Sequence, residues 1–171
     1  MPTTDFNVGA NVKAVRKLLK TYVNVSDTET EEWELVGKGI EDSSIELNPA
    51  TETVTDITGV TETTVQKWEP KQEFSPNTVR GGSKLNFKLH QIWQNKQQEL
   101  LSQFKVLIVY GYVGETGTAL EAEVQEDCTI NITSIGGSAN VDMPIEITFS
   151  NKSTKGTVAL AGDVPTFTPA T

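Results

Sequence analysis

The chain has 171 residues and a formal net charge of −9, and 36% of its residues are hydrophobic. This length is enough for one domain that folds without disulfides or a structural metal, since such a domain buries roughly 70% of the surface its unfolded chain exposes. The acidic balance disfavours general nucleic-acid binding, because it repels phosphate backbones. The longest apolar run, 106–110, is far shorter than the roughly 20 residues of a membrane-spanning helix, so we expect no membrane span.

The first part of the chain is predicted to be an arm followed by strands. Residues 1–14 show no sustained apolar period and are predicted to be an N-terminal arm. Threonine and valine, which favour strands, are frequent in the segments that follow. We predict strands over 17–26, 32–40, 44–47, 51–57 and 61–68. The first of these remains open, because Val8, Val12, Val15 and Leu19 also fit a helical period.

One helix is predicted in the middle of the chain. It follows a loop over 72–83, and Ser83 at the end of that loop is a plausible N-cap. Leu85, Leu89 and Leu100 lie at helical spacing, although Lys96 interrupts the apolar stripe. The pattern predicts a helix over 84–102.

The last third of the chain is predicted to be strands and a final arm. Alternating apolar residues predict strands over 105–112, 119–135, 141–149 and 156–160. Residues 162–171 contain Pro165 and Pro169, and because proline removes a hydrogen-bond donor from a sheet, we predict a C-terminal arm there. Many short strands with one helix indicate a mainly β domain over 15–161, either a sandwich or a barrel.

No set of residues predicts catalysis. His90 is the only histidine and Cys128 the only cysteine, whereas metal sites and Cys–His pairs need partners that the sequence does not indicate. The acidic run 27–32 lacks the register of a calcium loop and is typical of a solvated loop. We expect no enzyme activity, no metal and no cofactor.

A basic cluster lies near the N-terminus. Lys13, Arg16, Lys17 and Lys20 alternate with apolar residues. An acidic face of a neighbouring subunit would complement this cluster and set the register of an assembly. A solvated strand edge explains the cluster equally well.

Several segments resemble the major tail proteins, or tail tube proteins, of siphophages that infect Gram-positive bacteria. The segments are 11–20 leading into 32–36, then 45–59, then the predicted helix with the strand 106–110, and finally 128–137 with 141–145. Their order along most of the chain carries the resemblance.

The resemblance implies a mainly β fold with one helix, a β-sandwich that closes toward a barrel. It implies a structural subunit of the phage tail, made in the bacterial cytoplasm. By the resemblance, six copies would form a ring, and rings would stack into a hollow tube through which phage DNA passes without specific binding. The further implied partners are the tape measure, tail terminator and distal tail proteins.

The resemblance also implies which segments join the rings. These are the arm 2–11, the loop 72–82 and the C-terminal segment 162–171. The implied assembly residues are Phe6, Val8, Phe74, Val79, Arg80, Val164 and Phe167. If the N-terminal arm orders on docking, deletion of residues 1–8 leaves folded subunits or single rings but no long tubes.

Two other functions fit a β-rich chain without a catalytic set. The chain would be a carbohydrate-binding or adhesion module if Trp33, Trp68 or Trp93 served as a stacking platform. A head–tail connector or a capsid decoration protein would instead form one ring or a surface layer.

Overall fold

The computed structural model describes residues 6–171, so the first five residues of the predicted N-terminal arm lie outside the described residues. In the described part, eleven strands and one α-helix follow one another. The strands are β1 Leu19–Asn24, β2 Trp33–Val36, β3 Ile45–Glu46, β4 Pro49–Thr55, β5 Thr61–Trp68, β6 Lys71–Phe74, β7 Phe104–Glu115, β8 Ala119–Ile132, β9 Ile145–Thr148, β10 Ser153–Ala161 and β11 Val164–Pro169. Helix α1 is Lys84–Gln94, and short 3-10 helices span Arg16–Leu18 and Gln98–Ser102. Across residues 6–171, no helix combines the length and the apolar character needed to cross a membrane.

The sheet branches at β8, the longest strand. One edge of β8 pairs with β7, while the other pairs with β10 through 120–125 and with β9 through 129–132. Two antiparallel layers therefore share β8. We call β2-β1-β7-β8-β10-β11 the long layer and β8-β9-β6-β3 the short layer.

The main core lies between the two layers and is closed by α1. Val106 and Ile108 of the long layer belong to the same buried cluster as Ile145 and Ile147 of the short layer. Helix α1 contributes its buried face, namely Leu85, Leu89 and Ile92. A buried hydrogen bond of 2.8 Å from the Thr21 hydroxyl to Gln72 Oε1 joins β1 to β6 across the core.

A second core lies on the opposite face of the long layer. Its buried members are Tyr22, Leu107, Val109, Leu120, Ala122, Val124 and Val158. The turn between β10 and β11 reaches back to β1, where Asp163 forms a 2.8 Å ion pair with Lys20. The sheet is thus curled into a half-barrel. Because β7 is covered on both faces, its sequence is apolar without interruption over 106–110.

This architecture confirms the predicted fold class, a mainly β chain with one helix and a β-sandwich closing toward a barrel. The bounds of several predicted strands differ from the structure, and three differences have a clear physical reason. Helix α1 ends at Gln94 and not at 102, because Lys96 has a left-handed φ of 56° that breaks the helix. Leu100 still packs on the main core from the following 3-10 helix, which explains the long apolar stripe.

The other two differences concern β6, a strand with buried residues, and β11, an edge strand. The predicted loop 72–83 begins inside β6, a strand that is hard to recognise because the buried residue Gln72 is polar. The predicted C-terminal arm 162–171 contains β11, which pairs with β10 along its whole length. Both prolines are tolerated because β11 is an edge strand.

Candidate assembly surface

The hairpin formed by β4 and β5 stands apart from both layers. Its two strands pair only with each other in the described structure, as a separate two-stranded sheet. Nearly every side chain of the hairpin is exposed, including Val54 at 57% and a fully exposed Ile57 at the tip. An isolated two-stranded hairpin is at best marginally stable in water, so further contacts are needed to hold it in one conformation.

The tip of the hairpin is built by a local hydrogen-bond network around Asp56. Its carboxylate accepts hydrogen bonds from the Thr58 hydroxyl (2.6 Å), the Thr58 amide (2.8 Å) and the Val60 amide (3.1 Å). These bonds, the Thr58 hydroxyl first, hold the pKa of Asp56 below its usual value. Gly59 supplies the left-handed φ of 85° that the turn requires.

The two faces of the hairpin differ in chemistry. One face carries threonine pairs, with Thr53 and Thr63 hydroxyls 3.0 Å apart and Thr55 and Thr61 hydroxyls 2.9 Å apart. Alternation places Glu52, Val54 and Glu62 on the other face, which we call the acidic face. At the root, Lys67 is paired with Glu69 at 2.7 Å, so its charge is already matched.

The root of the hairpin is fixed to the body of the protein. The Asn48 side-chain amide donates to the carbonyl of Glu69 at 3.2 Å, and the Asn151 side-chain amide donates to the carbonyl of Trp68 at 2.8 Å. The hairpin therefore projects from an anchored base.

A polar sheet face is a second feature of the surface. The outward side chains of the short layer alternate with its buried Ile130, Ile145 and Ile147 and are exposed or half-buried. They are Glu46, Lys71, Glu73, Thr129, Asn131, Glu146 and Thr148. Lys71 and Glu146 form an ion pair of 3.5 Å within this face. Three carboxylates against one lysine leave this polar sheet face acidic.

The residues predicted to join subunits do not form one cluster but lie on separate elements. Phe74 is 2% exposed and belongs to the main core, so its side chain does not lie on the surface of this subunit. The burial follows from its position at the end of β6, where the alternation turns its side chain inward. Phe167 of β11 packs half-buried against the second core, while Val164 is 66% exposed.

The remaining predicted residues lie in two places. Phe6 bridges to Val113 and its ring lies 5.8 Å from that of Tyr112, so the start of the described chain is anchored on β7. Val8 follows it and is half-buried. Val79 and Arg80 are exposed in the loop before α1.

The hairpin is not among the segments that the resemblance implies as joining the rings. A signal was present in the segment 51–57, where threonine and carboxylates occupy most positions and neither face is continuously apolar. A strand that packs against a core shows one apolar face, and both strands of the hairpin lack it.

The candidate reactive side chains are not arranged as a site. His90 is exposed on α1, and Cys128 is fully buried in the main core. Burial raises the pKa of the Cys128 thiol, which keeps it protonated. Among residues 6–171, no three His, Cys, Asp or Glu side chains are grouped so as to hold a metal ion.

Comparisons with known proteins identify no family. No protein-family model matches the chain, and a search of curated proteins gives no match.

Proposed function

We propose that this chain is a structural subunit of a long phage tail tube, in which rings of six copies stack into a hollow conduit for DNA. The observation that carries the proposal is the projecting β4–β5 hairpin. It exposes Val54, Ile57, Val60 and Val65 to solvent, and within residues 6–171 its strands pair only with each other and are hydrogen-bonded to the body at the root. A soluble monomer gains nothing from such an element, whereas an assembly buries it against another subunit.

The order of the segments that resemble tail tube proteins is the reason for proposing a tail tube and not another assembly. The half-barrel fold agrees with a tail tube subunit, because a curled sheet with a helix on one side is the fold that the resemblance implies.

The polar sheet face of the short layer is the surface we assign to the lumen. Its carboxylates Glu46, Glu73 and Glu146 repel the phosphates of DNA, so the DNA slides without binding. The threonine and asparagine side chains between them can form hydrogen bonds with water. The long layer is a poorer choice for the lumen, because it carries a core on each side.

Negative-stain electron microscopy of the purified protein over a range of concentrations tests the proposal. We expect long hollow tubes with a regular axial repeat. The matched variant replaces residues 51–66 with Asn-Gly, a two-residue turn that joins the cross-strand partners Ala50 and Lys67. We expect it to fold with unchanged cooperativity and to form no tubes.

The opposite results would point to another function. A monomer at every concentration with glycan-dependent tryptophan fluorescence would favour the binding module. A single ring that never stacks would favour the connector.

A further inference from the structure

A groove runs along the free edge of β2. It encloses about 1010 Å³ and is lined by β2 itself, by the start of α1 and by Asp163 at the turn between β10 and β11. In the described part of the chain β2 pairs only with β1, which leaves its other edge without a strand partner, and all four residues of β2 line the groove. An unpaired edge inside a groove is the geometry by which a sheet accepts an extended segment.

The groove is basic although the protein is acidic. Its lining holds six of the fourteen basic residues of the chain, against four acidic ones. The six are Arg16, Lys17, Lys20, Lys38, Arg80 and Lys84. They include three of the four residues in the basic cluster near the N-terminus.

Four of these six charges have no acidic partner within residues 6–171. Lys20 is paired with Asp163 and Lys84 with Glu32, and Arg16 donates to backbone carbonyls of Ser43 and Leu19. Among residues 6–171, Lys17, Lys38 and Arg80 make no ion pair, and all three are exposed lining residues of the groove. The groove is therefore complementary to an extended segment that carries carboxylates.

The acidic face of the β4–β5 hairpin has this chemistry. Glu52 and Glu62 are exposed there, and the part of the hairpin beyond Lys67 carries no basic residue. The strands of the hairpin also have free outer edges, and β5 contains no proline, so the amides along its outer edge are all present for pairing.

The other free edge of the long layer is a poorer partner for β2. Strand β11 is uncharged and contains Pro165 and Pro169, which lack the amide donors of a pairing edge.

We infer that the β4–β5 hairpin of a second copy of this chain docks in the groove along β2, with its acidic face toward Lys17, Lys38 and Arg80. This inference rests on the proposed function, since it names the subunit surface that receives the hairpin. The contact joins two different surfaces, so it is heterologous and propagates from subunit to subunit.

Charge reversal on the full-length protein tests the docking. The hairpin variant is E52K/E62K, the groove variant is K38E/R80E, and the rescue variant combines all four changes. The control E29K/E99K changes the net charge as much as the hairpin variant does, at exposed positions outside both surfaces. Circular dichroism and thermal unfolding confirm that each variant is folded, and sedimentation velocity with electron microscopy reports its assembly.

We expect the hairpin and groove variants each to need about tenfold more protein to assemble, because like charges then face each other. The rescue variant recovers most of this loss, and the control behaves as the wild type. Tubes that form equally well in all variants would overturn the docking and leave the tube function standing. Assemblies of another shape that follow the charge pattern would support the docking and reject the tube. A wild-type protein that stays monomeric would overturn the docking itself.

Discussion

Tyr22 and Tyr110 lie on neighbouring strands, and their hydroxyl groups have opposite surroundings. The Tyr22 hydroxyl is buried in the second core and has no hydrogen-bond partner among residues 6–171. The Tyr110 hydroxyl donates a 2.8 Å hydrogen bond to Glu123 Oε1. A buried polar group without a partner costs its full desolvation energy, whereas a bond to a charged acceptor stabilises the fold.

The substitution Tyr22→Phe is therefore expected to raise the free energy of unfolding by about 1 kcal/mol, since it removes the unpaired hydroxyl and keeps the ring. Tyr110→Phe, the matched control, is expected to lower it by about 1.5 kcal/mol because Glu123 loses a donor. Urea unfolding of the two variants measures both changes. A loss of stability in Tyr22→Phe would show that the hydroxyl has a partner, such as an ordered water molecule.

Tyr22 also makes stability depend on alkaline pH. Burial, helped by the charge of Asp163, raises the pKa of Tyr22 to about 12, compared with 10.0 for an ordinary tyrosine. A raised pKa means that the fold favours the protonated hydroxyl. The part of the unfolding free energy that depends on this protonated state is fully present below pH 10 and is lost as the pH rises through about 12. We expect urea midpoints to fall more steeply over this range in the wild type than in Tyr22→Phe, and equal slopes would contradict the assignment.

At the scale of the element, α1 is capped by a residue from a distant strand. The Ser83 hydroxyl accepts from the Asn86 amide at 3.2 Å, as the sequence predicted, and donates to Glu34 Oε1 at 2.6 Å. Glu34 Oε2 accepts from the Leu85 amide at 3.0 Å. This carboxylate satisfies a free helix amide and faces the positive end of the helix dipole.

Glu34→Gln is expected to destabilise the protein by about 1 kcal/mol, because the amide weakens both bonds to the start of α1. Glu32→Gln is the control, since it removes an exposed ion pair with Lys84 and should change the unfolding free energy by less than about 0.5 kcal/mol. Thermal unfolding compares the two. If they are equally stable, the cap of α1 comes from Ser83 alone.

The sequence predicted the elements with local signals but not the contacts between distant elements. Local signals predicted β5 with its full bounds, the N-cap of α1 and most strands, because alternation and capping act over a few residues. Pairings across long separations left no local signal. The Glu34 cap, the split of β8 between β9 and β10, and the burial of Gln72 against Thr21 depend on which layers meet.

The hairpin shows the same limit for the candidate site. Alternation predicts its strands whether or not they pack on a core, so their isolation became visible only in the fold. The basic cluster near the N-terminus was visible in the sequence, but its place beside Lys38 and Arg80 depends on the tertiary structure.

At the scale of the whole molecule, the two surfaces with a proposed role carry opposite charges. The groove along β2 is basic, and the polar sheet face of the short layer is acidic. The basic groove receives the acidic face of a hairpin, and the acidic sheet face remains uncovered. A protein with net charge −9 needs such a local basic surface to associate with itself, since uniform acidity would keep copies apart.

The orientation of the polar sheet face can be measured in assembled tubes. Cys128 is fully buried, so the wild type offers no reactive thiol and a single new cysteine reports its own surroundings. Asn131→Cys places a thiol on the polar sheet face, and Gln91→Cys places one on the exposed side of α1. Both should react with a maleimide of bulky polyethylene glycol in isolated subunits. In long tubes we expect only Gln91→Cys to react at that rate, because a lumen excludes the polymer. Rapid labelling of Asn131→Cys in tubes would place the acidic sheet on the outside, and the DNA path would then require a different face.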